Sequence, residues 1–226
     1  MLVCLCLCRL QDAHTKVDPY VLTPPAPLRL REHYLDYDQC QSRLDGWSGS
    51  NACTLIAVSV VMAFLQGHLP TPTHNVSAVV YTAGFVDCMR QGNRLYDACE
   101  AAPGRLLGVY DAIHLMPHPG VSVLRNGDRG IRSHEDCCKK LAQLGDEAAA
   151  TGQERAGVMV QTPYSIAVVV TPQRACALFD SHGHGNKGAL IALSNNDTCW
   201  QTIASTIADS IGELRDSHLC LFQLRA

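Results

Sequence analysis

An early cysteine and a late aspartate-histidine pair are the groups best placed by type and spacing for nucleophilic chemistry. Asp180, His182 and His184 stand at alternate positions directly after an apolar run, so a continued extended backbone presents all three on one face. Cys53 follows a Gly/Ser-rich loop, GWSGSNA, and opens an apolar segment that reads as a buried helix. The unpartnered N-H groups and the dipole at a helix N-terminus favour the thiolate, which is the nucleophilic form of a cysteine. The same N-H groups can donate to a developing oxyanion. His182 then serves as general base and afterwards as acid, while Asp180 accepts from its other ring nitrogen and fixes its tautomer.

Each feature has a plainer explanation. A cysteine at the start of an apolar helix is often a packed thiol, and an Asp-x-His pair is often a polar strand edge. The three alternating residues could also ligate a metal, as His-x-His pairs do. Gly183 and Gly185 flank His184, favour a loop over a continued strand, and would let a substrate tail approach the backbone closely. Neither a metal nor a cofactor is expected. His114, His118 and His134 lack partners at ligand spacing and read as surface or core residues; Trp47 either lines the cleft or packs the cysteine loop.

The elements that must position these groups follow from periodicity and punctuation. Thr54 to Gln66 is apolar almost all round, closed by Gly67, and too short for a membrane span of about 20 residues. Ile166 to Val170 and Ala175 to Phe179 read as two strands joined tightly by Thr171-Pro172-Gln173-Arg174. Helices are expected over Val76 to Met89, running on towards Gly92, over Pro103 to Met116, and over Glu135 to Ala150 with Ser133 as N-cap. Val121 to Leu124 with Asn126-Gly127 reads as a short strand and turn. After the hairpin come a strand at Ala189 to Leu193, a helix at Asp197 to Leu214 and a closing strand at Leu219 to Leu224. Glu32 to Ala52 reads as polar loop, and residues 1-31, with Thr23-Pro24-Pro25-Ala26-Pro27, as an extended arm ahead of a domain at 32-226. Helices precede strands, which points to an α+β domain with a helical lobe packed on an antiparallel sheet.

Composition narrows the function. A net charge of -3 lacks the basic excess that marks nucleic-acid binders, and no membrane association is expected. The 12 cysteines and the two sequons, at Asn75 and Asn196, would suit a secreted disulfide protein. Against that, the N-terminal MLVCLCLC lacks the features of a signal peptide, and Cys88, Cys176 and Cys220 sit within apolar periodic segments. A reducing compartment, cytoplasmic or nuclear, is the expectation. Nothing in the sequence speaks to oligomeric state.

An early nucleophile on a helix start and a late histidine on a sheet is the division of labour of papain-like cysteine peptidases. More specifically, the Gly-Ser-Asn-Ala-Cys53 loop and the segment Leu178-Phe179-Asp180-Ser181-His182-Gly183 resemble the deubiquitinase domain of herpesvirus large tegument proteins and its relatives, from roughly Gln39 to the C-terminus. The resemblance implies a papain-like fold and cleavage after the C-terminal glycine of ubiquitin or a ubiquitin-like modifier. It also implies an upstream glutamine that helps stabilise the oxyanion, for which Gln41 is the nearest equivalent and Gln39 the rival; Asn51 or the Cys53 backbone N-H could serve instead. Two alternatives stand beside a Cys53, His182, Asp180 isopeptidase: an inactive ubiquitin-binding or scaffold domain of the same fold, and a small-molecule thiol amidase or esterase.

Overall fold

The helix opening at Cys53 is the centre about which the chain is built. A computed structural model describes residues 30-39, 50-73, 75-99, 105-117, 120-194 and 200-224. Helix α1, Cys53–Leu65, is buried at every position except Ala63 and Leu65, as its nearly uniform apolar character demands. It lies between a seven-stranded sheet and two further helices, α2 (Thr82–Ala98) and α3 (Val109–Leu115). A short 3-10 helix, Ala78–Tyr81, leads into α2.

The sheet comprises β1 (Arg31–Tyr34), β2 (Val121–Ile131), β3 (Arg155–Gln161), β4 (Tyr164–Val170), β5 (Cys176–Asp180), β6 (Leu190–Ser194) and β7 (Ser217–Leu224). Its spatial order is β1-β6-β5-β4-β3-β7-β2, and every pairing is antiparallel. The central strands are apolar on both faces because both faces are covered. Ala167, Val169, Ala177 and Phe179 join the core around α1, whereas Ile166, Val168, Val170, Cys176 and Leu178 join a second core under α4 (His134–Thr151) and α5 (Trp200–Ile211). The helices therefore form two layers with the sheet between them, and the single lobe of the sequence reading is only the α1 side.

Several boundaries differ from expectation for identifiable reasons. β1 lies within the segment read as polar loop; it is an edge strand with one apolar partner, β6, and its half-exposed residues carry no apolar alternation. Arg31, assigned to the arm, is its first residue. β3 was not anticipated, although it completes a second hairpin with β4 through Thr162-Pro163. Val121 to Leu124 is not closed by a turn at Asn126-Gly127: β2 continues to Ile131 through an irregularity between Val123 and Asp128, where Gly127 leaves room for the Leu124 carbonyl. Ser133 caps α4 by accepting from the Asp136 N-H at 3.1 Å, and Gly67 has the positive φ of a helix stop. Most of the arm and the second sequon lie outside the described residues. No helix among the described residues is long and apolar enough to cross a membrane.

Two packing features fix the future site. Phe179, next to Asp180, is surrounded by Phe64, Tyr81 and Phe85 with ring centroids 5.4 to 5.5 Å away, contacts worth about 0.5 to 1.5 kcal/mol each beyond burial. On the other side, Gly92 of α2 approaches the first turn of α1 so closely that a Cβ there would stand 2.8 Å from the Ile56 backbone nitrogen. The end of β5 and the start of α1 are thus both held by packing.

Candidate active site

Cys53 is the first residue of α1 and only 2% exposed. The helix begins without a side-chain cap, because the preceding residue is Ala52, and no acidic residue stands in its first turn. Its positive end is therefore not neutralised by a carboxylate of its own. Thr54, the next residue, hydrogen-bonds Ser165 of β4 at 2.9 Å between buried hydroxyls, which ties the helix start to the sheet.

Asp180 ends β5 and is fully buried. Its Oδ1 accepts from the His182 backbone N-H at 3.0 Å and lies 2.5 Å from His182 Nδ1. Its Oδ2 lies 3.1 Å from His184 Nε2. Burial alone would raise the Asp180 pKa, but the hydrogen bonds to His182 and the close approach of His184 outweigh it and hold the carboxyl at about 2. Burial alone would likewise lower the His182 pKa; hydrogen bonds to Asp180 and to the Cys53 sulfur, with their charges, raise it instead to about 10. With Nδ1 engaged by Asp180, Nε2 is the nitrogen left for the sulfur. The structure thus brings Cys53, His182 and Asp180 into one chain of contacts.

A buried polar network joins the two halves of this arrangement. Gln39 Nε2 donates to the Ser50 carbonyl at 3.0 Å, and its Oε1 accepts from Ser181 Oγ at 2.6 Å. The Gln39 backbone N-H donates to the Ser181 carbonyl at 2.9 Å. Ser50 Oγ donates to Asn93 Oδ1 at 2.7 Å and accepts from the Ala52 N-H at 3.0 Å, while Asn93 Nδ2 donates to the Gln39 carbonyl at 3.2 Å. Gln39 therefore clamps the loop before Cys53 to the residue between Asp180 and His182. Gln41 and Trp47 lie outside the described residues; Asn51 sits half-buried in the loop.

Sequence reasoning missed the β3-β4 turn as a wall of the site. The Cys53 thiol donates to the Pro163 carbonyl at 3.5 Å. Tyr164, 39% exposed, sets its ring edge-on to His182 at 4.9 Å and 85°. The only available signal was that Tyr164 opens the strand neighbouring β5. Of the glycines after His182, Gly183 lies so close to Asp38 that a Cβ would stand 2.5 Å from its Oδ2, and Gly185 has a positive φ of 64°. Gly188 packs on the Tyr37 backbone so tightly that a Cβ would stand 2.3 Å from its carbonyl oxygen, so the connection from β5 to β6 is clasped by residues 35-39.

The metal reading finds a different geometry. The two histidines turn onto opposite oxygens of one carboxylate, and among the described residues no group of three His, Cys, Asp or Glu side chains could hold a metal ion. His114 is exposed on α3, and His134 is exposed on α4, 3.1 Å from Ser205 Oγ; His118 lies outside the described residues. Cys88, Cys176 and Cys220 are buried, and desolvation pushes the thiols of Cys88 and Cys220 up to about 12 and 11, as befits packed side chains.

The same architecture occurs in a solved structure, the ubiquitin-specific protease encoded by a murine cytomegalovirus tegument protein, determined in complex with a ubiquitin-based suicide substrate. The match covers 86% of this chain and 87% of that one, with a TM-score of 0.55 and 14% sequence identity. This chain has the fold of a viral ubiquitin-specific protease. No protein-family model matches the sequence, and no curated protein matches it. The papain-like arrangement expected from the cysteine loop and the FDSHG segment is thus present at the level of the backbone.

Proposed function

We propose that the chain is a thiol-dependent isopeptidase that cleaves after the C-terminal glycine of ubiquitin or a ubiquitin-like modifier. The observation that carries this reading is the contact chain Cys53, His182, Asp180 at an uncapped helix start, set on the fold of a ubiquitin-specific protease. At neutral pH the raised His182 pKa favours an imidazolium facing the Cys53 sulfur. The Cys53 thiolate attacks the carbonyl carbon of the terminal glycine. The developing oxyanion is received by the Cys53 backbone N-H at the positive end of α1. His182 gives its proton to the leaving lysine amine as the C-N bond breaks, leaving a thioester on Cys53. Water then loses a proton to His182 and attacks the thioester; the S-C bond breaks, and the modifier departs as a carboxylate.

Tyr164 and Pro163, beside the histidine and the sulfur, narrow the approach and suit a tail of glycines, whose lack of side chains lets the carbonyl reach a cysteine that is 2% exposed. The same burial favours the second reading, a non-catalytic ubiquitin-binding domain in which Cys53 is a packed thiol. The free thiols among the described cysteines suit a cytoplasmic or nuclear site of action.

Ubiquitin carrying a C-terminal electrophile separates the readings. A covalent adduct on the wild type that is absent from Cys53→Ala and His182→Ala is the expected result. Binding of ubiquitin without an adduct would favour the scaffold, and neither binding nor adduct, with hydrolysis of small thiol-reactive esters, would favour an amidase or esterase.

A further inference from the structure

Asp180 has two histidine neighbours, and the mechanism uses only one. His184 Nε2 lies 3.1 Å from Asp180 Oδ2, within ion-pair distance but outside hydrogen-bond geometry; both atoms are buried, and neither has a hydrogen-bond partner among the described residues. The imidazole therefore stands at ion-pair range beside a carboxylate oxygen that no hydrogen bond satisfies, in a place where such an oxygen is costly. The geometry does not come from a floppy glycine loop. His184 and Lys187 exchange backbone hydrogen bonds at 3.0 Å in both directions, forming a two-residue turn with Gly185 at φ 64°. The His184 ring also stands edge-on to Tyr34 of β1 at 5.7 Å, and the Lys187 ammonium lies 4.0 Å over the other partner in that contact, the Tyr34 ring. Behind the turn, Gly188 is locked on the Tyr37 backbone. A carboxylate held at Oδ1 alone can rotate about χ2; a second contact at Oδ2 fixes its plane.

We infer that His184 is a positioning residue of this site: it holds the second oxygen of Asp180 and thereby fixes the carboxylate plane that orients the His182 ring towards Cys53. This rests on the proposed isopeptidase reading. His184 touches neither the sulfur nor, on this reading, the scissile bond, so its effect passes entirely through Asp180. Its removal should slow the chemical step and leave modifier binding in place.

The test compares steady-state hydrolysis of a ubiquitin C-terminal fluorogenic amide by the wild type, His184→Ala and His184→Gln, with melting temperatures recorded for each. Glutamine carries an amide nitrogen at nearly the position of Nε2. The expected result is a fall in kcat of about 10-fold to 100-fold for His184→Ala, from removing the polar group that stands at ion-pair range of a buried carboxylate oxygen, with KM little changed and most of kcat recovered in His184→Gln. Equal kcat per folded molecule in all three proteins would overturn the inference, as would a glutamine variant no better than alanine while remaining folded. A wild type without turnover would instead overturn the isopeptidase reading on which it rests.

Discussion

Removing the Cys53 sulfur should lower the pKa of His182 without returning it to its ordinary value. The imidazole is raised from 6.5 to about 10 against the opposing effect of burial, and the raising comes from two sources, the Asp180 carboxylate and the Cys53 sulfur. At about 1.4 kcal/mol per unit, the net preference for the imidazolium is on the order of 5 kcal/mol. Cys53→Ala deletes one source and leaves the other, so His182 should titrate between the two values; Asp180→Asn should lower it by removing the other source. Ring-proton NMR titration of the wild type and the two variants reads this directly. Linkage supplies an independent check. A raised His182 pKa contributes stability that is complete below pH 6.5 and is lost as pH climbs through about 10. Asp180, lowered to about 2, contributes stability above its ordinary 3.8 that is lost as pH falls through about 2. The decline in melting temperature between pH 6.5 and 10 should therefore be shallower in Cys53→Ala than in the wild type. An unchanged His182 titration in Cys53→Ala would refute the contact between the two side chains on which the proposed chemistry rests.

Gly92→Ala should destabilise the fold by about 1 to 3 kcal/mol, because its Cβ would meet the Ile56 backbone, which cannot yield like a side chain; denaturant titration measures this. Gln39→Ala should cost about 1 to 3 kcal/mol for leaving Ser181 Oγ and the Ser50 carbonyl without their partner, and it should also slow probe labelling of Cys53 because the cysteine loop loses its clamp to the Asp180-His182 segment. Unaltered labelling in a destabilised Gln39→Ala would make that network structural only.

Legibility tracked how local the determining physics was. α1 was readable because thirteen residues of nearly unbroken apolar character have one place to go, and Cys53 at its start followed. The β4-β5 hairpin was readable because both strands are buried on both faces and Thr171 to Arg174 carries turn chemistry. β1 was not, since its strand character comes from β6 and from no pattern of its own. Nor was the division of the helices between two sheet faces, which depends on the path of the chain across the sheet and leaves no periodic trace in either helix group. The network through Gln39, Ser50, Asn93 and Ser181 was hidden for the same reason: it joins polar residues up to 142 positions apart that share no sequence pattern.

The Asp180-His182 spacing was informative, yet its alternating-strand rationale does not describe how the pair meets. β5 ends at Asp180, so His182 is not the next outward position of a strand. A continued strand would hold His182 in the register of Cys176 and Leu178, which pack under α4 and α5, away from the layer that contains α1. What brings the ring back is a side-chain turn: Asp180 Oδ1 accepts from the His182 backbone N-H at 3.0 Å and takes the ring nitrogen at the same oxygen. The Asp-x-His spacing is what lets one carboxylate hold both the backbone and the imidazole of the same residue, so the turn that stops the strand is also the device that aims the histidine. Any residue without a carboxylate or amide at 180 loses both functions together, and the effect on the position of His182 should exceed what removal of either hydrogen bond alone would produce.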